Sequence, residues 1–406
     1  MSAPTLPHLS SAQWLRKNLF RGPLDAVITI LAGAVVGYVV FRMLRFVFVS
    51  GRWEIVERNL TLFMVGQYDR TQLWRPALAV VISAALAGLV AGVIRRRQAA
   101  AGRLPDPHLG GVRKLTNLSG RLWPALVGLL LLLGLTTSPG PWLVAGAALL
   151  AAAAGSALGR RAPRGFAWAL APGILLCLFG LVAFLAQPLE WDRWGGMMLN
   201  LLLAGTSIVL CFPLGVLLAL GRRSQLPAIR AVCTGYIELF RGAPLIALLL
   251  MANVALGFFV PQELAPGKVV RAIVVFTLFT AAYIAEIVRG GLQSVPDGQL
   301  EAGKAIGLSP VRITAMIELP QALRNVIPAM VGQFISLFKD TTLAGAAMGF
   351  LDLLAGAEAA TSQPAFRGQG LIAETLVFVA LLFWVGSYTM SRESQRLELR
   401  LGVGQR

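Results

Sequence analysis

Apolar residues along this chain fall into ten long blocks, separated by short polar or basic segments. The blocks lie at 24–41, 77–94, 122–137, 142–158 and 166–186, then at 197–220, 243–260, 270–288, 326–346 and 371–390. A bilayer core is about 30 Å thick, and a helix needs about 20 mainly apolar residues to cross it. In lipid only structures that satisfy their own backbone can span, and blocks of this length do so as helices. The pattern therefore predicts an all-α, polytopic membrane protein with about ten transmembrane helices.

The two halves differ in texture. The first five blocks contain plain Leu and Ala runs, at 129–133 and 147–154. The second five are punctuated by Pro213, Pro244 and Pro328. Proline frees a backbone carbonyl that a neighbour must satisfy, so such helices pack against others or line a cavity. Between the halves, 187–196 is polar and carries Trp191 and Trp194, residues suited to a membrane interface. The special features of the second half have no copy in the first, so an inverted repeat is not predicted.

Composition sharpens the class. The chain of 406 residues is 56% hydrophobic and 14% charged, against about 45–50% and about 25% in soluble proteins. That excludes a disordered chain, and three cysteines are too few for a disulfide scaffold. Cys177, Cys211 and Cys233 lie in or beside apolar blocks and read as small packing residues. His8 and His108 lie in polar segments and mark no site. The net charge of +17 sits in clusters between blocks, at Arg95–Arg97, Arg160–Arg161, Arg222–Arg223 and from Arg392 onward. Such clusters orient spans by staying in the cytoplasm, so no nucleic-acid partner is expected. Ten spans with both termini cytoplasmic satisfy them. The segment 42–75 would then lie outside and could hold a short interfacial helix. The first 23 residues are mixed and polar, and no secretory signal peptide is predicted there.

The stretch 297–324 is too polar to span and follows Arg289, which places it in the cytoplasm. It reads as two short helices and a tight turn. Asp297 could cap the first helix, and Gly307 could take the left-handed conformation that ends it. Ser309 offers an N-cap, with Pro310 at the first helical position. Ile313, Met316 and Ile317 fall at helical spacing on one face, and Pro320 limits the second helix. From spacing alone this is either a loop folded on the chain's own helices or a lever that docks into a partner.

Ionisable residues inside spans are costly and tend to face a bundle interior. Glu286 and Arg289 lie near the inner end of the eighth block, Lys339 and Asp340 in the ninth, and Glu374 opens the tenth. They could serve a translocation path or lock helices together. Asn200, Thr206, Ser207, Asn253 and Gln333 are polar linings or interhelical glue. A phosphate loop is missing: Gly267-Lys268 is followed by Val269 and Gly303-Lys304 by Ala305. Zinc-hydrolase, C-x-x-C and nucleophile-elbow motifs are missing too, so neither catalytic residues nor a metal site is predicted.

The run Glu301-Ala302-Gly303, then Gly307, then Ile317-Glu318-Leu319-Pro320, resembles the EAA loop of ABC importer permeases. Spacing agrees throughout, and the departure is Gly303 where a third alanine is usual, at about 1 kcal/mol of helix propensity. Segments 236–244, 283–299 and 336–342 resemble the polar amino-acid permeases, and the likeness covers about 197–400. The N-terminal extension resembles the larger permease of general or acidic/neutral L-amino-acid systems.

The resemblance implies a type I ABC importer permease core in the C-terminal half. Segment 1–23 would be cytoplasmic, 24–190 an extension of about five helices, 191–392 the core of five, and 393–406 a cytoplasmic tail. Coupling to the ATPase would fall to Glu301, Ala302, Gly303, Gly307, Ile317, Leu319 and Pro320. The substrate path would draw on Glu286, Arg289, Lys339, Asp340, Asn253 and Gln333. The implied partners are an ABC ATPase dimer, a second permease subunit (homologous or identical), a periplasmic amino-acid-binding protein and the lipid of a bacterial inner membrane. ATP and Mg would be held by the ATPase, and this chain would bind no cofactor and catalyse no reaction. The alternatives are an ion-coupled secondary transporter, which the non-repeating halves disfavour, and a non-transport membrane scaffold.

Overall fold

A computed structural model describes residues 15, 18–100, 126–130, 132–134, 136, 139–163, 166–186, 194–255, 260–261 and 265–401. Contacts divide the chain into two units, Met1–Glu54 and Ile55–Arg406. In the first, α1 (Pro23–Arg45) starts on a proline and runs into a π turn at Phe46–Ser50. It is apolar around its whole circumference, as a lipid-immersed helix is.

The second unit opens with two short helices, α2 (Glu54–Arg58) and α3 (Leu60–Val65), followed by α4 (Trp74–Ala100), α5 (Gly140–Arg161) and α6 (Phe166–Ala186). Next come α7 (Gly196–Arg222), α8 (Pro227–Gly242), α9 (Leu245–Leu250), which continues as a π turn to Ala255, and α10 (Lys268–Gln293). The chain finishes with α11 (Asp297–Ala305), α12 (Pro310–Ile313), α13 (Leu319–Asp340), α14 (Leu343–Met348), α15 (Leu353–Thr361) and α16 (Ile372–Leu401).

Among the described residues six helices are long and apolar enough to cross a bilayer, and α8 with the α9 segment makes a seventh candidate bent by 102°. The expected ten is thus approximate. The block at 122–137 lies partly outside the described residues, whereas 166–186 is helical in α6. The ninth block belongs to α13, which begins earlier, at Leu319, and stops at Asp340 before a separate α14. The seventh block starts at a corner. Ala243 precedes a proline and is held extended (φ −90°, ψ 139°), so α8 cannot run straight into α9.

Two other expectations are refined. Trp194 is buried, edge-on to Tyr68 at 6.3 Å; Trp191 lies outside the described residues. In the part of 42–75 in this unit, one face is buried as a plug against the helices of the bundle. Ile55, Val56 and Phe63 are inaccessible, and Phe63 meets the Phe378 ring at 5.2 Å. Gln363 Nε2 donates to Asn59 Oδ1 at 2.6 Å, and the Tyr68 hydroxyl donates to the Leu185 carbonyl at 3.2 Å. Apolar side chains facing other helices gain more than they would at a headgroup surface, which explains the inward turn.

The tightest pairing joins α4 and α5. Gly88 and Gly92 on α4 oppose Gly155 and Gly159 on α5, and a Cβ on any of the four would overlap a backbone oxygen of the other helix. Small residues four apart let two helices approach to backbone contact where no hydrophobic effect drives them together. The Leu and Ala runs that read as plain in sequence conceal this contact.

At the end where α7 begins, a buried polar knot joins three helices. Asn200 Nδ2 donates to Thr341 Oγ1 at 3.0 Å, and its Oδ1 accepts the Leu353 N–H at 3.0 Å. Asp352 caps α15 by accepting the Ala355 N–H at 2.8 Å, while its Oδ2 has no hydrogen-bond partner and is fully buried. Burial pushes the Asp352 carboxyl up to about 6, against the pull of the Ala355 N–H.

Gly92→Leu is expected to destabilise the detergent-purified protein by about 1–3 kcal/mol. Gly146→Leu, where an added Cβ would meet no described atom within 4 Å, is the neutral control. Equal thermal midpoints for the two would contradict the close contact. For Asp352, native and unfolded forms are both protonated at low pH and carry no penalty. The cost develops as pH rises from the unfolded value, about 4, through about 6, and persists above it. Wild type should therefore lose on the order of 3 kcal/mol relative to Asp352→Asn between pH 4 and 7. Parallel thermal-stability profiles over that range would refute the assignment.

Candidate functional site

The polar stretch 297–324 is an elbow between α10 and α13. Pro296 is the residue before the first helical turn, and Asp297 begins α11 instead of capping it, since its backbone is already helical. Its charge still suits the helix N-terminus. At the other end Gly307 has φ +77°, and the Gly307 and Leu308 N–H groups donate to the Lys304 and Gly303 carbonyls at 2.9 and 3.1 Å. This is a Schellman termination, and glycine supplies the left-handed residue that it needs.

The second arm starts with Ser309 in extended backbone and Pro310 at the first position, although the Ser309 side chain makes no capping bond. The helix does not end at Pro320. A π turn at Thr314–Glu318 connects α12 to α13, with the Leu319 N–H reaching back to the Thr314 carbonyl. Proline in a regular helix would clash with the carbonyl four residues earlier, and the widened turn removes that clash. One continuous rod therefore runs from Pro310 to Asp340.

The π turn also rotates the apolar stripe. Ile313 is buried and Ile317 half-buried against α11, but Met316 is 69% exposed and does not share their face. Gly303 is buried beneath the two isoleucines. A Cβ there would sit 3.0 Å from Ile317 Cδ1 and 3.1 Å from Ile313 Cγ1. The missing methyl lets the two arms close onto each other. Glu301, Ala302 and Pro320 are exposed and Leu319 is half-buried. Ile306, Val311 and Met316 form the outward apolar surface, all more than two-thirds exposed.

Glu318 points inward. It is buried, ion-paired to Arg223 at the end of α7, and its Oε2 accepts from Thr314 Oγ1 at 3.4 Å. Arg222, the preceding residue, pairs with Glu286 of α10 and, at 3.1 Å, with Glu238 of α8. Glu286 also receives Arg289 Nη2 at 2.9 Å, and Arg241 Nη1 lies 3.7 Å away. Three guanidinium groups thus surround one carboxylate. Asn325 Nδ2 donates to Ser294 Oγ at 3.0 Å, tying α13 to the end of α10.

The residues expected along a substrate path do not gather in one place. Glu286 and Arg289 meet at the elbow end and occupy each other. Asn253 sits toward the opposite end, donating to the Ala347 carbonyl at 3.2 Å while its own carbonyl accepts from Arg271 at 3.3 Å. Lys339 and Asp340, adjacent on α13, form no ion pair with each other; Lys339 is exposed, and Asp340 and Gln333 are half-buried. Asn200, Thr206 and Ser207 bond within the helix bundle, and Glu374 is buried in the first turn of α16. Sequence reasoning passed over Glu318 and Arg223. The signal was present, as the variable position inside I-x-L-P and a basic pair at a span's end. Among the described residues no three His, Cys, Asp or Glu side chains cluster as metal ligands.

Residues 212–399 match the family described as "Binding-protein-dependent transport system inner membrane component". The chain is 33% identical over 431 aligned residues to the glutamate/glutamine/aspartate/asparagine transport system permease protein BztC of Rhodobacter capsulatus, covering 97% of this chain and 94% of that one. It is 42% identical to the inner membrane amino-acid ABC transporter permease protein YhdY of Escherichia coli over 54% of this chain and 59% of the relative. In structure, half of the chain aligns with 91% of a solved amino acid ABC transporter chain, at TM-score 0.45 and 28% identity. With a relative matched over nearly its whole length, the chain belongs to the amino-acid ABC importer permeases, multi-pass proteins of the inner membrane.

Proposed function

We propose that this chain is the subunit through which an ATP-driven importer carries polar L-amino acids across the inner membrane, and that the elbow docks on a partner ATPase. The observation that carries the docking is the division of the elbow into two faces. Its inner face, with Gly303, Ile313, Ile317 and Glu318, is filled by the chain's own side chains. Its outer face leaves Ile306, Val311 and Met316 more than two-thirds exposed. Burying such a surface in a partner's groove releases about 25 cal/mol per Å² of apolar area. Glu301 at the rim would meet a basic or hydrogen-bonding group of the partner.

Closure of the ATPase dimer on ATP and Mg then displaces the elbow. The helical run from Pro310 to Asp340, which includes the π turn and Pro328, carries that displacement into the membrane. A second permease core, homologous or identical, completes the pathway, and a periplasmic binding protein delivers the amino acid. The named substrates of the Rhodobacter capsulatus relative support the acidic and neutral class. Arginines ending α5, α7 and α16 support cytoplasmic termini. Along the path, Gln333, Lys339 and Asp340 remain the candidates on α13, while Glu286, Arg289 and Asn253 are held by neighbours. Helix α3, which packs on α7 and α15, supports a core that reaches beyond 191–392. An ion-coupled transporter would keep working when the partner's ATPase site is mutated, whereas this importer would stop.

Gly307→Asp, and separately Val311→Asp, should leave the chain inserted, remove the ATPase on co-purification and lower uptake by at least about tenfold. Normal ATPase recovery with normal uptake in both variants would end the docking reading.

A further inference from the structure

The docking reading explains how force reaches the elbow, but not how the elbow moves any helix besides α13. We infer that Arg223 and Glu318 form a strut that makes the elbow and α7 move together, with Arg222 extending the linkage to α8 and α10. The inference rests on the docking reading and adds positioning residues to it.

Four observations converge. The Glu318 side chain is only 5% exposed, and Arg223 is its ion-pair partner. Arg223 is the residue that terminates α7, and its own N–H donates to the Leu220 and Gly221 carbonyls. Its side chain therefore pulls on the helix end with no flexible loop between. Arg222, next in the chain, holds Glu286 and Glu238. Two adjacent arginines thus tie the ends of three helices to one point on the elbow. Finally, Glu318 closes the π turn at the base of the rod. A displacement of the elbow passes through that residue whichever arm is pushed.

Removing Arg223 leaves the buried Glu318 carboxylate without its partner, removing the Glu318 charge leaves Arg223 half-exposed and untethered, and either change frees the end of α7. The elbow can still dock, because its outer face is unchanged. Hydrolysis should continue while transport falls behind it, a signature that a merely fold-stabilising ion pair would not produce.

The test uses the assembled importer, purified from its host membrane and reconstituted in liposomes, with labelled L-glutamate and L-glutamine as probes. Arg223→Ala and Glu318→Gln should retain the ATPase subunit and its ATP hydrolysis, while amino acid imported per ATP falls by about tenfold. The exchange of charges, Arg223→Glu with Glu318→Arg, should recover most of that ratio. An unchanged ratio in both single variants would overturn the strut. Because the exchanged pair could fail to fold, a disulfide between Arg223→Cys and Glu318→Cys gives a second reading. Uptake that persists after oxidation supports joint motion, and uptake abolished by oxidation but restored by reductant contradicts it. If Gly307→Asp keeps both ATPase and transport, the docking reading fails. If that variant loses the ATPase while the Arg223 and Glu318 variants stay fully coupled, only the strut fails.

Discussion

A carboxylate withdrawn from water must be met by a cation, and in this protein the two that matter mechanically are met by arginines at the end of one helix. Glu318 binds Arg223, and Glu286 binds Arg222. Glu318 is buried with Arg223 as its ion-pair partner, and Glu286 is also met by Arg289 and Arg241. The consequence is geometric. The Arg223–Glu318 pair ties the elbow to α7, and the neighbouring Arg222 ties α7 to α10 and, through the more exposed Glu238, to α8.

Away from these ion pairs, cohesion comes from closeness and from buried polar bonds. Lipid offers no hydrophobic reward for bringing apolar helices together, so α4 and α5 meet at glycines and gain dispersion and backbone contact. The opposite end of the bundle is closed by the bonds of Asn200, Thr341 and Leu353 and by the buried residues between Ile55 and Tyr68. One end is pinned by polar bonds, and the other carries the lever. That arrangement suits a bundle in which displacement at the elbow becomes tilt of helices.

Local signals were legible where the chemistry is local. Block length marked the spans, and Gly307 marked the turn, because only glycine takes φ +77° at little cost. Signals that need a partner were not. Pro320 looks like a stop until the π turn before it is known, and that turn shifts Met316 off the face of Ile313 and Ile317. Trp194 suits a membrane interface by composition, but Tyr68, far away in sequence, buries it. The arginines at 222 and 223 served the topology argument so well that their acid partners, 64 and 95 residues further on, went unasked. Ion pairs between distant helices leave no spacing in sequence.

The central claim is that a partner ATPase covers the outer face of the elbow. The most direct measurement replaces Met316 with cysteine, on a background lacking Cys177, Cys211 and Cys233, and follows its reaction with a water-soluble maleimide in inside-out membrane vesicles. With the ATPase bound the thiol should be protected, and stripping the ATPase should expose it. Equal labelling in both states would mean that nothing docks there.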